Sequence, residues 1–330
     1  RQWRWLASFL ANCTAGANAR TTARLLKLGE LSRKKMAELE VVLPHEEFAW
    51  REAGKLVVYR SRDIFDAAVG RPDPEASRQV LSPAECVARE PALAEAEGML
   101  AGGIFNSGEA VADCAAFCCA LEARLEAHPN FRGVVHGEAR RFVTENGKVT
   151  WLDTSAGLIS ADSFVLAAGI QSRNLADSAG IYLPLYPLKG YSLTAPIRAT
   201  DRAPEVSVTD FERKVLYARI GDKLRVAAMV DMVGEDLTLD QERIAGLKRQ
   251  VSETMPHAAD YNRIETWAGL RPATPNSAPI IGATKYPNLW LNVGHGPLGF
   301  TFACGTASIL ADLMSGKPAP IPMDGLSMRK

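Results

Sequence analysis

Six residues near the end of the chain, Gly294-His-Gly-Pro-Leu-Gly299, restrict its fold more than any other segment. They follow an apolar run at 288–293 that reads as a strand, and precede 300–314, which reads as a helix. A strand, a G-x-G-x-x-G turn and a helix form the dinucleotide fingerprint when they open a βαβ unit with an acidic residue about 20 positions on. Here 16 residues follow Met314, and Pro318, Pro320 and Pro322 are among them, so a pairing second strand has no room. The local physics survives without that label. Glycines admit a flat ligand close to the backbone. The first N–H groups and the positive dipole end of the helix favour an anion, or a ring that gains negative charge on reduction. A purely structural glycine turn fits the same residues.

Composition sets wide limits around this turn. The 330 residues are 47% hydrophobic and 23% charged, with 38 Lys+Arg against 38 Asp+Glu. These are the values of an ordinary globular chain, with apolar mass for one large α/β domain or two medium ones. A net charge of zero argues against a nucleic-acid binder, although a local basic pocket is compatible with it. The opening, residues 1–10, is no signal peptide, because Arg4 breaks its apolar run; it reads as the middle of a helix, with the expectation that chain is missing upstream. The six cysteines (Cys13, Cys86, Cys114, Cys118, Cys119 and Cys304) form no C-x-x-C pair, so no metal site is expected. Cys114 and Cys118 share a face of a predicted helix at 109–127 and are expected to be buried. Residues 289–311 carry no charge and are long enough to span a bilayer. Asn292, His295, Pro297 and four glycines interrupt them, so no transmembrane segment is expected.

Periodicity gives helices at 1–13 and 18–40, a strand at 54–59, and a helix opened by the capping box Ser82-Pro-Ala-Glu85 and stopped at Pro91. A strand at 99–105 and the helix 109–127 follow. Strands at 140–145 and 148–153 flank the hairpin signal Asn146-Gly147. A strand at 159–166 runs into Ala167-Ala168-Gly169, and further strands are expected at 189–196, 206–208, 214–220, 223–229, 263–270 and 288–293, with helices at 240–254 and 300–314. The expected fold class is mixed α/β (α+β): a Rossmann-like nucleotide-binding domain, its N-terminal part missing, interleaved with an antiparallel-sheet substrate domain. The division assigns 98–180 and 271–330 to FAD-type nucleotide binding, and 1–97 and 181–270 to the substrate or cap domain.

Taken together, the motifs Tyr186-Pro-Leu-Lys-Gly-Tyr-Ser192, Gly269-Leu-Arg-Pro-Ala-Thr-Pro275 with Pro279-Ile-Ile-Gly282, and 288–299 followed by Ala303-Cys-Gly305 resemble the FAD-dependent D-amino acid oxidase superfamily. Within it, Asn12-Cys-Thr14 and residues 83–93 resemble the bacterial D-amino acid dehydrogenase small-subunit family. The resemblance covers essentially the whole chain. It implies an FAD-dependent oxidoreductase that turns D-amino acids such as D-alanine into 2-oxo acids and ammonia by hydride transfer to flavin N5. Electrons then pass to a quinone or respiratory acceptor. It casts Arg271 as the clamp for the substrate carboxylate, a role suited to a planar guanidinium that makes two parallel hydrogen bonds. Tyr217 resembles a second carboxylate contact. Gly294, His295, Gly296, Leu298, Gly299 and Thr301 resemble flavin contacts; Ala168 and Gly169 lie along the dinucleotide and Ala139 near the adenine. Beyond alignment of the substrate no catalytic group is implied, and no metal. The family's first strand–glycine turn–helix–strand unit has no counterpart here, so the chain is expected to be a fragment that holds FAD poorly and is inactive alone. A cytoplasmic location is implied, or a peripheral one at the inner face of the cytoplasmic membrane, with no nucleic-acid partner. The alternatives are a glycine-, sarcosine- or proline-type amine oxidase using oxygen, and a truncated non-catalytic relative.

Overall fold

Local signals fix most element ends in the computed structural model, which describes residues 2–71 and 78–328. The strands are β1 Lys55–Tyr59, β2 Arg78–Leu81, β3 Gly102–Asn106, β4 Ala139–Glu145, β5 Lys148–Thr154, β6 Gly157–Ile159, β7 Phe164–Leu166, β8 Tyr186–Pro196, β9 Ser207–Asp210, β10 Val215–Ile220, β11 Lys223–Asp231, β12 Glu265–Ala273, β13 Ile280–Ala283 and β14 Leu289–Val293. The helices are α1 Gln2–Asn12, α2 Ala15–Leu39, α3 Arg62–Val69, α4 Pro83–Arg89, α5 Cys114–Glu126, α6 Ser172–Ser178, α7 Gln241–Thr254 and α8 Gly299–Met314. Side-chain oxygens of Thr14, Asp113 and Asp240 cap α2, α5 and α7, and Ser82 with Glu85 closes the capping box of α4. Asn146 and Gly147, at φ 49° and 74°, make the left-handed pair that a two-residue hairpin between β4 and β5 needs.

Eight strands form the larger sheet in the order β12-β8-β11-β10-β9-β1-β3-β2, antiparallel except where β1 joins β9. One face is a dry core. Tyr191, Leu193, Tyr217, Leu224 and Val226 pack there with Ile244, Leu247 and Val251 of α7 and with Leu93 and Ala96 of the 3-10 stretch Pro91–Met99. A smaller sheet, β13-β14-β7, pairs β14 with β7 in parallel. Its strands share a core with the β4-β5-β6 sheet and α6, and a second core is built from Leu28 of α2 and Phe302, Ile309 and Leu310 of α8. These two sheet systems are the expected mixed α/β arrangement.

Three expectations change. The division at 98 places β3 with the nucleotide side, but β3 is hydrogen-bonded between β1 and β2 in the larger sheet. The helix expected at 109–127 begins at Cys114, after its Asp113 cap, and turns Phe117 inward against Phe48 and Met36, while Cys114, Cys118 and Cys119 are exposed. The strand expected at 159–166 is two short strands, β6 and β7, in different sheets. Residues 296–314 are long and apolar enough to cross a membrane by length and composition. In this fold α8 packs along α2, where the Gly305 N–H donates to Ser32 Oγ at 3.2 Å and a Cβ on Gly305 would stand 3.0 Å from the Ser32 backbone.

A single carboxylate ties α4, the Pro91–Met99 stretch and the entry to β9 together. Glu90 is 1% exposed and accepts from the N–H groups of Ala92, Glu205 and Val206. Glu90→Ala orphans three backbone donors, that of Val206 fully buried, and we expect a loss of about 3 kcal/mol in urea unfolding; a change below about 0.5 kcal/mol would show that water or another group replaces the carboxylate.

Candidate functional site

The site is organised by β12, which pairs with β8 without interruption from Glu265↔Thr194 to Ala273↔Tyr186. Alternate residues of a strand face opposite sides of the sheet. Tyr191 and Tyr217 therefore go to the α7 face, in step with Ala228 and Val226 of β11. Gly190, Gly269 and Arg271 take the other face. The Arg271 guanidinium lies over Gly190, and its Nη1 donates to the Met229 carbonyl at 3.0 Å. Among the described residues this is its one hydrogen bond, and no carboxylate pairs with it. Burial alone pulls its pKa below the ordinary arginine value, and arginine remains a cation despite that. The site thus holds a partly buried positive charge with no internal counter-ion.

The two glycine turns meet beside it. β7 and β14 run parallel, with Leu166 opposite Leu291, so Gly169 and Gly294 leave neighbouring strand ends. Ligands of open α/β sheets gather at such carboxyl ends. Gly169 and Gly296 are both left-handed at φ 55°. A Cβ on Gly169 would meet nothing within 4 Å, and one on Gly296 only the Ala273 Cα at 4.0 Å, so open space lies over both. Gly294, at φ 80°, differs: a Cβ there would stand 2.7 Å from Thr274 Cγ2, so it is a packing glycine. No side chain caps the N-terminus of α8, where Gly299 and Thr301 lie. An isolated bridge, Ala273↔His295, ties this turn to the end of the Arg271 strand, and the Trp5 indole N–H donates to the Ala273 carbonyl at 2.9 Å from α1. On the Trp5 side of β8 a cavity of about 430 Å³ is lined by Trp5, Arg173, Tyr182, Leu185, Tyr186 and Met232.

His295 sits between strand and helix. Its Nε2 is 3.1 Å from Thr306 Oγ1, whose hydroxyl donates to the Ala303 carbonyl. The hydroxyl has one proton, so the ring donates from Nε2 and keeps its lone pair on Nδ1. Burial lowers its pKa from 6.5 to about 4, which makes it a neutral imidazole at physiological pH.

The structure brings together Arg271, His295, Gly294, Gly296, Gly299 and the Ala168-Gly169 turn, with Leu298 and Thr301 exposed at the same helix start. It does not bring Tyr217 to Arg271. Tyr217 is 0% exposed on the opposite face of the sheet, where burial pushes its phenol to about 12. The second carboxylate contact expected at Tyr217 is corrected by strand parity. Ala139 opens β4, in the hairpin sheet rather than the sheet that carries the glycine turns. Gly190, the Met229 carbonyl and Trp5 were not singled out by the sequence reading; only the Lys-Gly-Tyr segment pointed near one of them. Two open left-handed glycines at parallel strand ends, beside an uncapped helix N-terminus, fit a flat, anionic cofactor such as FAD. Gly169, Gly296 and the first turn of α8 are the residues that would hold it.

The low pKa of His295 carries a sign. Above pH 6.5 the ring is neutral in folded and unfolded chains alike. As pH falls from 6.5 towards 4 the unfolded chain takes up a proton that the folded chain refuses, so stability is lost across that window. His295→Gln, which can still donate to Thr306, is expected to lose less Tm than the parent between pH 7 and pH 5. Equal losses would contradict the buried neutral imidazole.

The comparisons with known proteins agree with this geometry. The family described as DAO, FAD dependent oxidoreductase, matches residues 2–313. D-amino acid dehydrogenase 2 of Pseudomonas aeruginosa is 46% identical over 330 residues, covering 99% of this chain and 78% of that protein. D-amino acid dehydrogenase of Paramagnetospirillum magneticum is 40% identical, again over 99% of this chain and 78% of the relative. Among solved structures, glycine oxidase from Geobacillus kaustophilus superposes with a TM-score of 0.74 over 94% of this chain and 82% of its own, at 20% identity, which speaks for the fold. The chain belongs to the DAO family of FAD-dependent oxidoreductases, enzymes of amine oxidation.

Proposed function

We propose that this enzyme oxidises D-amino acids, with D-alanine as a simple representative, to imino acids that hydrolyse to 2-oxo acids and ammonia, and that the electrons go to a quinone or another respiratory acceptor. The observation that carries the reading is Arg271, a partly buried guanidinium with a single backbone hydrogen bond and no carboxylate partner among the described residues. Such a charge is favourably completed by a ligand anion. An amino acid supplies that anion as its α-carboxylate. The relatives named D-amino acid dehydrogenase support the D configuration and an acceptor other than oxygen.

FAD, when bound, supplies the two-electron oxidation. The chain's own part is placement. Arg271 holds the carboxylate by two parallel N–H donors, which fixes the plane of the substrate and so the direction of its Cα–H. The substrate loses a hydride from Cα and a proton from nitrogen; water then adds to the C=N bond of the imine and ammonia leaves, giving the 2-oxo acid. His295 is not a cation that would compete for the carboxylate, because it is neutral and its Nε2–H is committed to Thr306. In this reading the larger sheet with α7 is the substrate lobe, and the smaller sheet with α8 is the cofactor lobe. The β4-β5-β6 sheet with Ala139 flanks the cofactor lobe. In this reading the enzyme works in the cytoplasm or against the inner face of the cytoplasmic membrane, where it can reach a membrane quinone.

The test is steady-state kinetics, with a soluble quinone, of the FAD-loaded full-length protein that carries this chain, comparing D- and L-alanine. D-alanine should be used and L-alanine ignored, and oxygen alone should support little turnover. Arg271→Ala should raise KM for D-alanine about 100-fold, and Arg271→Lys should recover part of it. An unchanged KM in Arg271→Ala removes the carboxylate assignment. Equal rates with oxygen alone favour an amine oxidase, and no turnover of any amine by FAD-loaded protein favours a non-catalytic relative.

A further inference from the structure

We propose that Gly190 and the Met229 carbonyl form a seat that fixes the plane of the Arg271 guanidinium, with Gly190 acting as a positioning residue for recognition of the substrate carboxylate. This deepens the proposed function and rests on Arg271 being the carboxylate clamp.

Gly190 lies inside β8, an 11-residue strand where glycine costs backbone entropy and packs nothing. Its φ is outside the left-handed range, so the backbone does not demand glycine. The demand comes from Arg271. A Cβ at 190 would stand 2.2 Å from Nη2 and 2.3 Å from both Cζ and Nη1. The guanidinium therefore occupies the place a side chain would take. Directly across the ladder, Gly269 pairs with Gly190 and is covered in the same way, with the Trp267 ring 1.9 Å from where its Cβ would be. Two paired glycines give a flat floor on which a guanidinium and an indole both lie.

The second wall is Met229. It sits where the β11–β8 register breaks between Ala228 and Asp231, and it is a left-handed non-glycine residue at φ 65°. That conformation is costly and persists only where the surroundings impose it. Here it accompanies a carbonyl that accepts from Nη1 at 3.0 Å. The acceptor is neutral, so the seat orients the guanidinium without cancelling its charge. An arginine held this way loses little rotamer freedom when the carboxylate arrives.

The three atoms nearest a Cβ at 190 all belong to the movable end of Arg271, so Gly190→Ala should fold and displace the clamp. In the FAD-loaded enzyme we expect KM for D-alanine to rise about 30-fold, with kcat within about threefold and Tm within about 2 °C. In an Arg271→Ala background the same substitution should change KM less than about twofold, since its effect acts through Arg271. If Gly190→Ala alone folds poorly, the double variant should recover its Tm, because the overlap is with Arg271. An unchanged KM in Gly190→Ala, alongside a raised KM in Arg271→Ala, overturns the seat and leaves the clamp standing. Equal effects of Gly190→Ala in both backgrounds, or a double variant that does not recover, also overturn it. An unchanged KM in Arg271→Ala is instead the failure of the carboxylate reading itself.

Discussion

The ladder between β8 and β12 is the constraint on which the rest of the structure depends. It runs from Glu265↔Thr194 to Ala273↔Tyr186 without a break. Its upper half belongs to the larger sheet, and its lower end reaches the smaller lobe through the Ala273↔His295 bridge. A one-residue slip would exchange the two faces of β12. Arg271 would then enter the α7 core, and Leu270 would face the glycine turns. Because both faces carry chemistry that cannot be exchanged, the register is overdetermined, and the geometry of the site follows from it.

Charge is used sparingly around this ladder. The chain as a whole is neutral, and several arginines of the fold are paired with carboxylates: Arg60 with Asp210, Arg213 with Glu253, Arg173 with Glu235. Arg271 departs from that pattern. His295, which could have added a second positive charge, is kept neutral by burial. The guanidinium beside the glycine turns, with no carboxylate partner among the described residues, gives a carboxylate a place to dock, and the neutral imidazole offers no rival. The uncapped start of α8 adds a weaker, fixed positive potential where an electron-rich ring would lie.

Much of this was legible from residues that act locally. The capping box at Ser82, the turn at Asn146-Gly147, the glycines at 294–299 and the helix after them all formed as read, because each depends on neighbours within a few positions. What failed was non-local. Tyr217 and Arg271 lie on four successively paired strands, and whether they share a face depends on three registers and a bulge that no single segment encodes. β3 went to the larger sheet because β1 and β2 offered it partners, which its own sequence does not show. Cys114 and Cys118 do share a helix side, but the stripe of Ala116, Phe117, Ala120 and Leu121 is the one packed inward, which leaves both cysteines exposed. The seat of Arg271 was invisible for the same reason: Gly190 and Met229 meet it only through pairing.

The Trp5 indole N–H and the Ala273 carbonyl are 268 residues apart in sequence, and β8 waits about as long as β11 and α7 take to be made before β12 can join it. A ribosome must deliver residue 273 before either contact exists. Closing such distant pairs carries a large loop entropy and is slow compared with helix or hairpin formation. During synthesis the outer edge of β8 is therefore an open strand edge, of the kind that invites pairing with other chains. The arrangement that makes the site rigid in the finished enzyme also makes it one of the last parts of the protein to come into being.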